Sequence, residues 1–114
     1  MLNLTHFEII GHVGKTELKT NGTRRALISI ATNEQWTKDG QKQKRTDWHH
    51  LTTFAPHLVD LVEKHVAKGD YLRVTGTIRP RSWEQDGETK YTVDLLINEI
   101  GFLAPRAATE EVAA

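Results

Sequence analysis

The chain has 114 residues, enough for one domain with its own core, and no cysteine, which excludes disulfides, thiolate metal sites and a cysteine nucleophile. Lys plus Arg equals Asp plus Glu at 15 each, so the formal net charge is zero and no overall field draws the molecule to a polyanion or a membrane. Glu110 and Glu111 are two of the acids, so residues 1–106 carry an excess of two positive charges, and any polyanion site has to arise by local clustering.

The N-terminal MLNLTHFEIIG lacks the basic lead, long apolar stretch and cleavage site of a signal peptide. No apolar run approaches the ~20 residues of a membrane helix. The expectation is a soluble cytoplasmic protein. Residues 4–14 are rich in β-formers and read as a strand that bends at Gly11 and Gly14. Asn21-Gly22 then signals a tight turn, because both residues tolerate positive φ. Residues 24–32, RRALISIAT, alternate as a second strand. The polar NEQWTKDGQKQKRT, with Asp39-Gly40 near its middle, reads as an exposed hairpin arm that returns into a third strand, DWHHLTTFA.

The period changes over residues 56–68, where Leu58, Leu61, Val62 and Val66 follow helical spacing. Pro56 suits the first turn of that helix and Gly69 its C-terminal cap. Residues 70–79 return to strand, Asp86-Gly87 marks a second exposed hairpin, and residues 90–100 form a fifth strand. Three strands, a short helix and two more strands predict an all-β domain, a five-stranded OB barrel with one helix between strands three and four. An SH3-like barrel is the rival, but it has no natural place for that helix. The domain is expected over residues 1–104, with 105–114 a short flexible tail.

His49 and His50 invite a ligand reading, which strand geometry opposes. Neighbours in a strand point to opposite faces, so Trp48, His50, Thr52 and Phe54 share one face and His49, Leu51 and Thr53 the other. His6, His12, His57 and His65 are scattered without ligand spacing, and a zinc site needs three or four convergent ligands. No nucleophile elbow, HExxH motif or phosphate loop is present. The expectation is a non-enzyme with no metal and no cofactor.

The aromatics carry more. Trp36, Trp48 and Trp83 all sit where a strand meets a polar, basic hairpin, whereas a core tryptophan normally lies among Val, Ile and Leu. One such ring has an ordinary reading as a loop brace. Three beside Lys and Arg fit a polymer that is both aromatic and polyanionic, and single-stranded nucleic acid is that polymer. Arg79 and Arg81, two apart, project from one face of a regular strand and, with Arg24, Arg25, Lys38, Lys42, Lys44, Arg45 and Lys90, could line a groove. Pro80 between them argues for an edge or a strand end.

At these residues the chain resembles the bacterial single-stranded DNA-binding proteins of the homotetrameric OB type. The matching pieces are IIGHVG, ISIATNEQW, TDWHHLTTF, AKGDYL, VTGTIRPRSW and DGETKYTVDLLINEI, in order across residues 1–103. The resemblance implies base stacking at Trp36, Trp48, Phe54 and Trp83. It implies phosphate contacts at Arg79, Arg81 and Lys68, to which the arm lysines Lys38, Lys42 and Lys44 are added. It places His49 at a subunit contact, in a homotetramer or a dimer, and it implies sequence-tolerant protection of single-stranded DNA during replication, recombination, repair or transfer.

The chain departs from the family at several points. His50 stands where arginine is usual, Ala55-Pro56 where a lysine follows soon after the phenylalanine, Arg73 where an aromatic is common and Tyr71 where a polar residue is common. The first hairpin, KTELKTNG, is short. The sequence ends TEEVAA, without the acidic tip that recruits replication and repair proteins, so loss of that recruitment is expected, as in a paralogue on a mobile element or a chain cut to its DNA-binding core. Two other readings stand beside this one: an OB adaptor that binds protein partners, as in a primosome, and a single-stranded RNA binder.

Overall fold

The structure is a computed structural model that describes residues 3–104; the expected tail, 105–114, lies outside the described residues. The chain runs β1 (Phe7–Lys19), β2 (Arg25–Lys38), β3 (Gln41–Thr53), α1 (Pro56–His65), β4 (Tyr71–Gln85) and β5 (Glu88–Ala104). The strands close a barrel in the order β1-β2-β3-β5-β4, with β4 returning to β1. This is the predicted five-stranded OB barrel, with its helix between β3 and β4. All pairings are antiparallel except β3 with β5, where Leu51 faces Leu95 and Thr52 faces Leu96.

Alternation places one face of each strand in the core. Ile9 and Val13 of β1, Ala26, Ile28 and Ile30 of β2, Leu51 of β3, Leu72 and Val74 of β4 and Ile97 of β5 are buried together. The helix caps this cluster with Leu58, Val59 and Val62. Its first turn forms because Pro56 needs no amide partner there and the Ala55 carbonyl accepts from the Leu58 and Val59 N–H groups at 3.0 and 2.9 Å.

Both exposed arms are continuous ladder. Asp39-Gly40 and Asp86-Gly87 are two-residue turns with positive φ at both positions (53° and 76°, 53° and 78°), the geometry whose twist matches the flanking strands. The strands are therefore longer than their apolar patterns. Residues 15–19 carry β1 beyond the strand predicted over 4–14, and of the two expected bends the irregularity falls at Gly14, between Val13 and Lys15, while Gly11 pairs regularly with Leu72. At Asn21-Gly22 only Gly22 takes positive φ, within a longer loop.

The helix stops at His65, three residues short of its predicted end, because Val66 turns extended. Gly69 (φ 95°) serves the next turn, in which the Ala67 N–H donates to Asp70 Oδ2 at 2.8 Å, and not the helix cap. Pro80 lies inside β4, not at its end, opposite Val93. Thr5 Oγ1 donates to the Ile78 carbonyl at 3.0 Å, so the even-numbered backbone groups of β4 face the β1 side there. The register with β1 ends at Gly76, so the missing N–H of Pro80 falls on an open edge.

Candidate nucleic-acid interface

Beyond the short β3–β5 pairing, the two hairpins project as two-stranded ribbons. Residues opposite each other in a ladder share a face, so the registers sort the side chains. On the outer face lie Lys42, Lys44, Trp48, His50 and Thr52 of β3, with Arg79, Arg81 and Trp83 of β4 and Lys90, Thr92 and Asp94 of β5. The core-side face continues into Lys38 and Trp36 of β2, Arg45 and His49 of β3, and Tyr91 and Val93 of β5. Trp36 (43% exposed) and Trp48 (54%) thus occupy opposite faces of one ribbon. Trp83 (40%) shares the outer face with Trp48, and Phe54 (49%) follows the end of β3 in line with it.

Where β3 and β5 diverge they leave a groove of about 400 Å³, lined by Trp48, His50 and Thr52 on one wall and Thr92, Val93 and Asp94 on the other. Trp48 is held at its edge by Gly14. A Cβ at Gly14 would lie 2.6 Å from Trp48 Cη2, so the indole rests directly on the strand irregularity of β1. The Gly69 N–H donates to the Val13 carbonyl at 2.8 Å, which ties the turn carrying Lys68 to the segment under Trp48. On the other ribbon the Arg81 guanidinium lies over the Trp83 ring, 5.1 Å from its centroid, while Nε donates to Asp94 at 2.9 Å. One carboxylate therefore both orients Arg81 and offsets its charge.

Residues 4–103 match the Single-strand binding protein family. The chain belongs to that family. Its relatives include proteins named "Single-stranded DNA-binding protein" from Rickettsia typhi and Rickettsia prowazekii, each 36% identical over 96 residues that span 78% of this chain and 62% of the relative. The chain thus spans less than two thirds of the length of the curated relatives it matches. Among solved structures, the Plasmodium falciparum SSB complex with ssDNA superposes with a TM-score of 0.74 at 28% identity, covering 91% of this chain and 98% of that one. Mitochondrial Rim1 of S. cerevisiae has the same fold (TM-score 0.67, 24% identity, 90% and 97% covered).

The cations of this family member divide by partner. Lys38, Lys42, Lys44, Lys68 and Arg79 carry no ion pair among the described residues, and Lys42, Lys44 and Arg79 lie on the outer face. The other groove candidates are engaged. Arg24, set among the candidate groove residues, instead grips Asp60 and Glu63 of α1 at 2.9 and 3.0 Å; these bonds, Asp60 first, hold its pKa above the ordinary value. Arg25 donates to the Asn21 and Thr23 carbonyls, bracing its own loop. Arg45 faces the core side and pairs with Asp47 at 2.9 Å, which also raises its pKa. Lys90 pairs with Glu88 at 2.9 Å.

His49 is half-buried, its Nε2 2.9 Å from Thr32 Oγ1, and both His49 and His50 border the groove; the register pairs His49 with Ile30 on the core side and His50 with Ser29 on the outer side, so the two side chains lie on opposite faces as strand alternation requires. Among the described residues no group of three or more His, Asp or Glu could hold a metal, and no helix is long and apolar enough to cross a membrane. Two departures from the family find local partners on the outer face of β1 and β4. Tyr71 stacks on His12 at 4.7 Å between centroids, and Arg73 Nε donates to Glu8 at 2.6 Å. Sequence reasoning took Gly14 only for a bend, not for the seat of Trp48, and missed Asp94. A glycine inside a strand pattern was the available signal for the first; the second needs the ladder register.

Proposed function

We propose that this chain binds single-stranded DNA with little sequence preference and holds transient single strands open during replication, recombination, repair or transfer. The observation that carries the proposal is the outer-face track: Trp48 seated on Gly14, the groove beside it, and Trp83 with Arg81 on the facing ribbon, flanked by the unpaired Lys42, Lys44 and Arg79. Exposed indoles offer stacking surfaces to any base, each stack worth ~1–3 kcal/mol, and a duplex cannot use them because its base faces are already stacked. Phe54 extends the track past Thr52, and Lys68 lies at the Gly14 end. Trp36 adds a platform on the opposite face, so a strand that uses all four rings crosses an edge of the β2–β3 ribbon.

The charge pattern sets the salt dependence. With three to five of the candidate site cations unpaired among the described residues and ~0.7 per phosphate on single strands, log Kd against log salt should have a modest slope of about 2 to 3.5 per protomer. Stacking then carries a large share of the affinity. The proposal includes assembly as a homotetramer, or a dimer, supported by exposed Ile10, Phe102 and Leu103 and by the position of His49. Tryptophan fluorescence during titration with oligo(dT), at low and high salt and with duplex as control, tests the binding reading. Strong quenching by oligo(dT) alone is expected. Equal response to duplex, or no quenching, would make the indoles structural and move the function to protein binding.

A further inference from the structure

The β4–β5 ribbon carries an aromatic that neither the family comparison nor the tryptophan pattern assigns. Tyr91 is 79% exposed on the core-side face. Its cross-strand neighbour is Ser82, too small to cover the ring, and the next pair on that face is Pro80 with Val93. Together these four residues, with Arg81 and Thr92, line a mostly apolar hollow of about 410 Å³. Two of its lining residues, Thr92 and Val93, also line the groove beside Trp48. The hollow is therefore the continuation of that groove around the ribbon.

Resting on the single-strand reading above, we propose that Tyr91 is a further base-stacking platform, reached from the Trp48 groove over Thr92 and Val93. A base laid on the phenol ring places its sugar against Pro80 and Val93, apolar surfaces with no amide hydrogen at Pro80 to leave unsatisfied. Arg81 stands at the rim. Its Nε and Nη2 are turned to Asp94 at 2.9 and 3.4 Å, and Nη1 has no hydrogen-bond partner among the described residues, so it can meet the adjoining phosphate. Ser82 and Thr92 add hydroxyls that accept or donate to any base edge, which keeps the site sequence-tolerant. The strand then leaves the outer face at Trp48 and passes onto the core-side face of the facing ribbon. Tyr91 mirrors Trp36, which lies on the core-side face of the other ribbon.

The test uses the whole chain with an oligo(dT) ladder carrying 5-iododeoxyuridine. Photocrosslinking followed by peptide mapping should place a crosslink on Tyr91. Tyr91→Ala should weaken binding of the longer oligonucleotides by about fivefold or more, the low end for one lost stack, and shorten the occluded site. Tyr91→Phe should retain binding, and Tyr91→Leu should not. Wild-type affinity of Tyr91→Ala without a crosslink, while Trp48→Ala binds weakly, overturns this inference and leaves the proposed function standing. If Trp48→Ala also binds normally, both fall. A change in sedimenting mass on Tyr91→Ala with no crosslink makes the ring a contact between chains and also overturns it.

Discussion

Gly14→Ala is a sharp test of the way Trp48 is presented. The atoms nearest a Cβ built on Gly14 all belong to the Trp48 ring, with Cη2 at 2.6 Å and Cε3 at 3.3 Å. Ordinary contact begins near 3.4–4 Å, so the indole must retreat by about 1 Å or tilt away. The backbone does not resist the change, because Gly14 is not among the residues with positive φ and alanine can adopt its conformation. Trp48 is half exposed and free to swing, so the stability loss should stay below about 1 kcal/mol. The displaced ring forfeits most of one stack, so affinity for oligo(dT) should fall by about 5- to 50-fold. Fluorescence titration and thermal melts of Gly14→Ala, Trp48→Ala and the double variant read this out. The two losses should not add, since both act through one ring. Wild-type affinity in Gly14→Ala, or additive losses in the double variant, would refute the seat.

Asp94→Asn should release Arg81 to the DNA; affinity at low salt should rise and the log–log salt slope steepen by about 0.7. Lys42→Ala with Lys44→Ala should flatten that slope by about 1.4, whereas Arg45→Ala, on the other face and paired with Asp47, should leave it nearly unchanged. Both are read from oligo(dT) titrations across a salt series. Gly76→Ala should act on the fold instead. A Cβ there would meet the Leu96 carbonyl oxygen and lie 2.7 Å from Phe7 Cζ, and backbone cannot give way as an exposed side chain can. A cost of about 2–3 kcal/mol should lower the melting temperature by roughly 10 °C or more, with the DNA affinity of the folded fraction kept; an unshifted melt would count against so tight an approach.

Much of the barrel was legible because its signals are local. Ile28 and Ile30 sit two apart on either side of Ser29, and Leu58 and Val62 repeat at helical spacing. The misplaced boundaries have local causes too. Residues 15–19 lack an apolar face of their own and join β1 only through pairing with β2. Gly69 resembles a helix cap in sequence, yet Asp70 claims the preceding turn. At the site, the identities of the exposed rings were readable and their sidedness was not. With Asp39-Gly40 taken as a loop of unspecified length, nothing orders Trp36 against Trp48. As a two-residue turn it sets Lys38 opposite Gln41 and Trp36 opposite Gln43, which puts Trp36 across the ribbon from Trp48. The masking of Arg81 by Asp94 needs the same register in the other hairpin. Arg24 and Arg25 looked like groove cations because charge alone does not reveal a partner on α1 or in a loop.

The seam where Leu51 meets Leu95 and Thr52 meets Leu96 has a mechanical meaning. Past it, each ribbon is a lever anchored at one end, so a small rotation at the seam becomes a large displacement at the Asp39 and Asp86 tips. A polymer stacked on both levers acts as a splint across them. Splinting of this kind restricts the rotation of one ribbon against the other, and part of the stacking energy is used in doing so. Amide exchange would register this as slowing concentrated in the two ribbons, while the amides around Ile28, Leu51 and Val74, already held by the barrel, would change little.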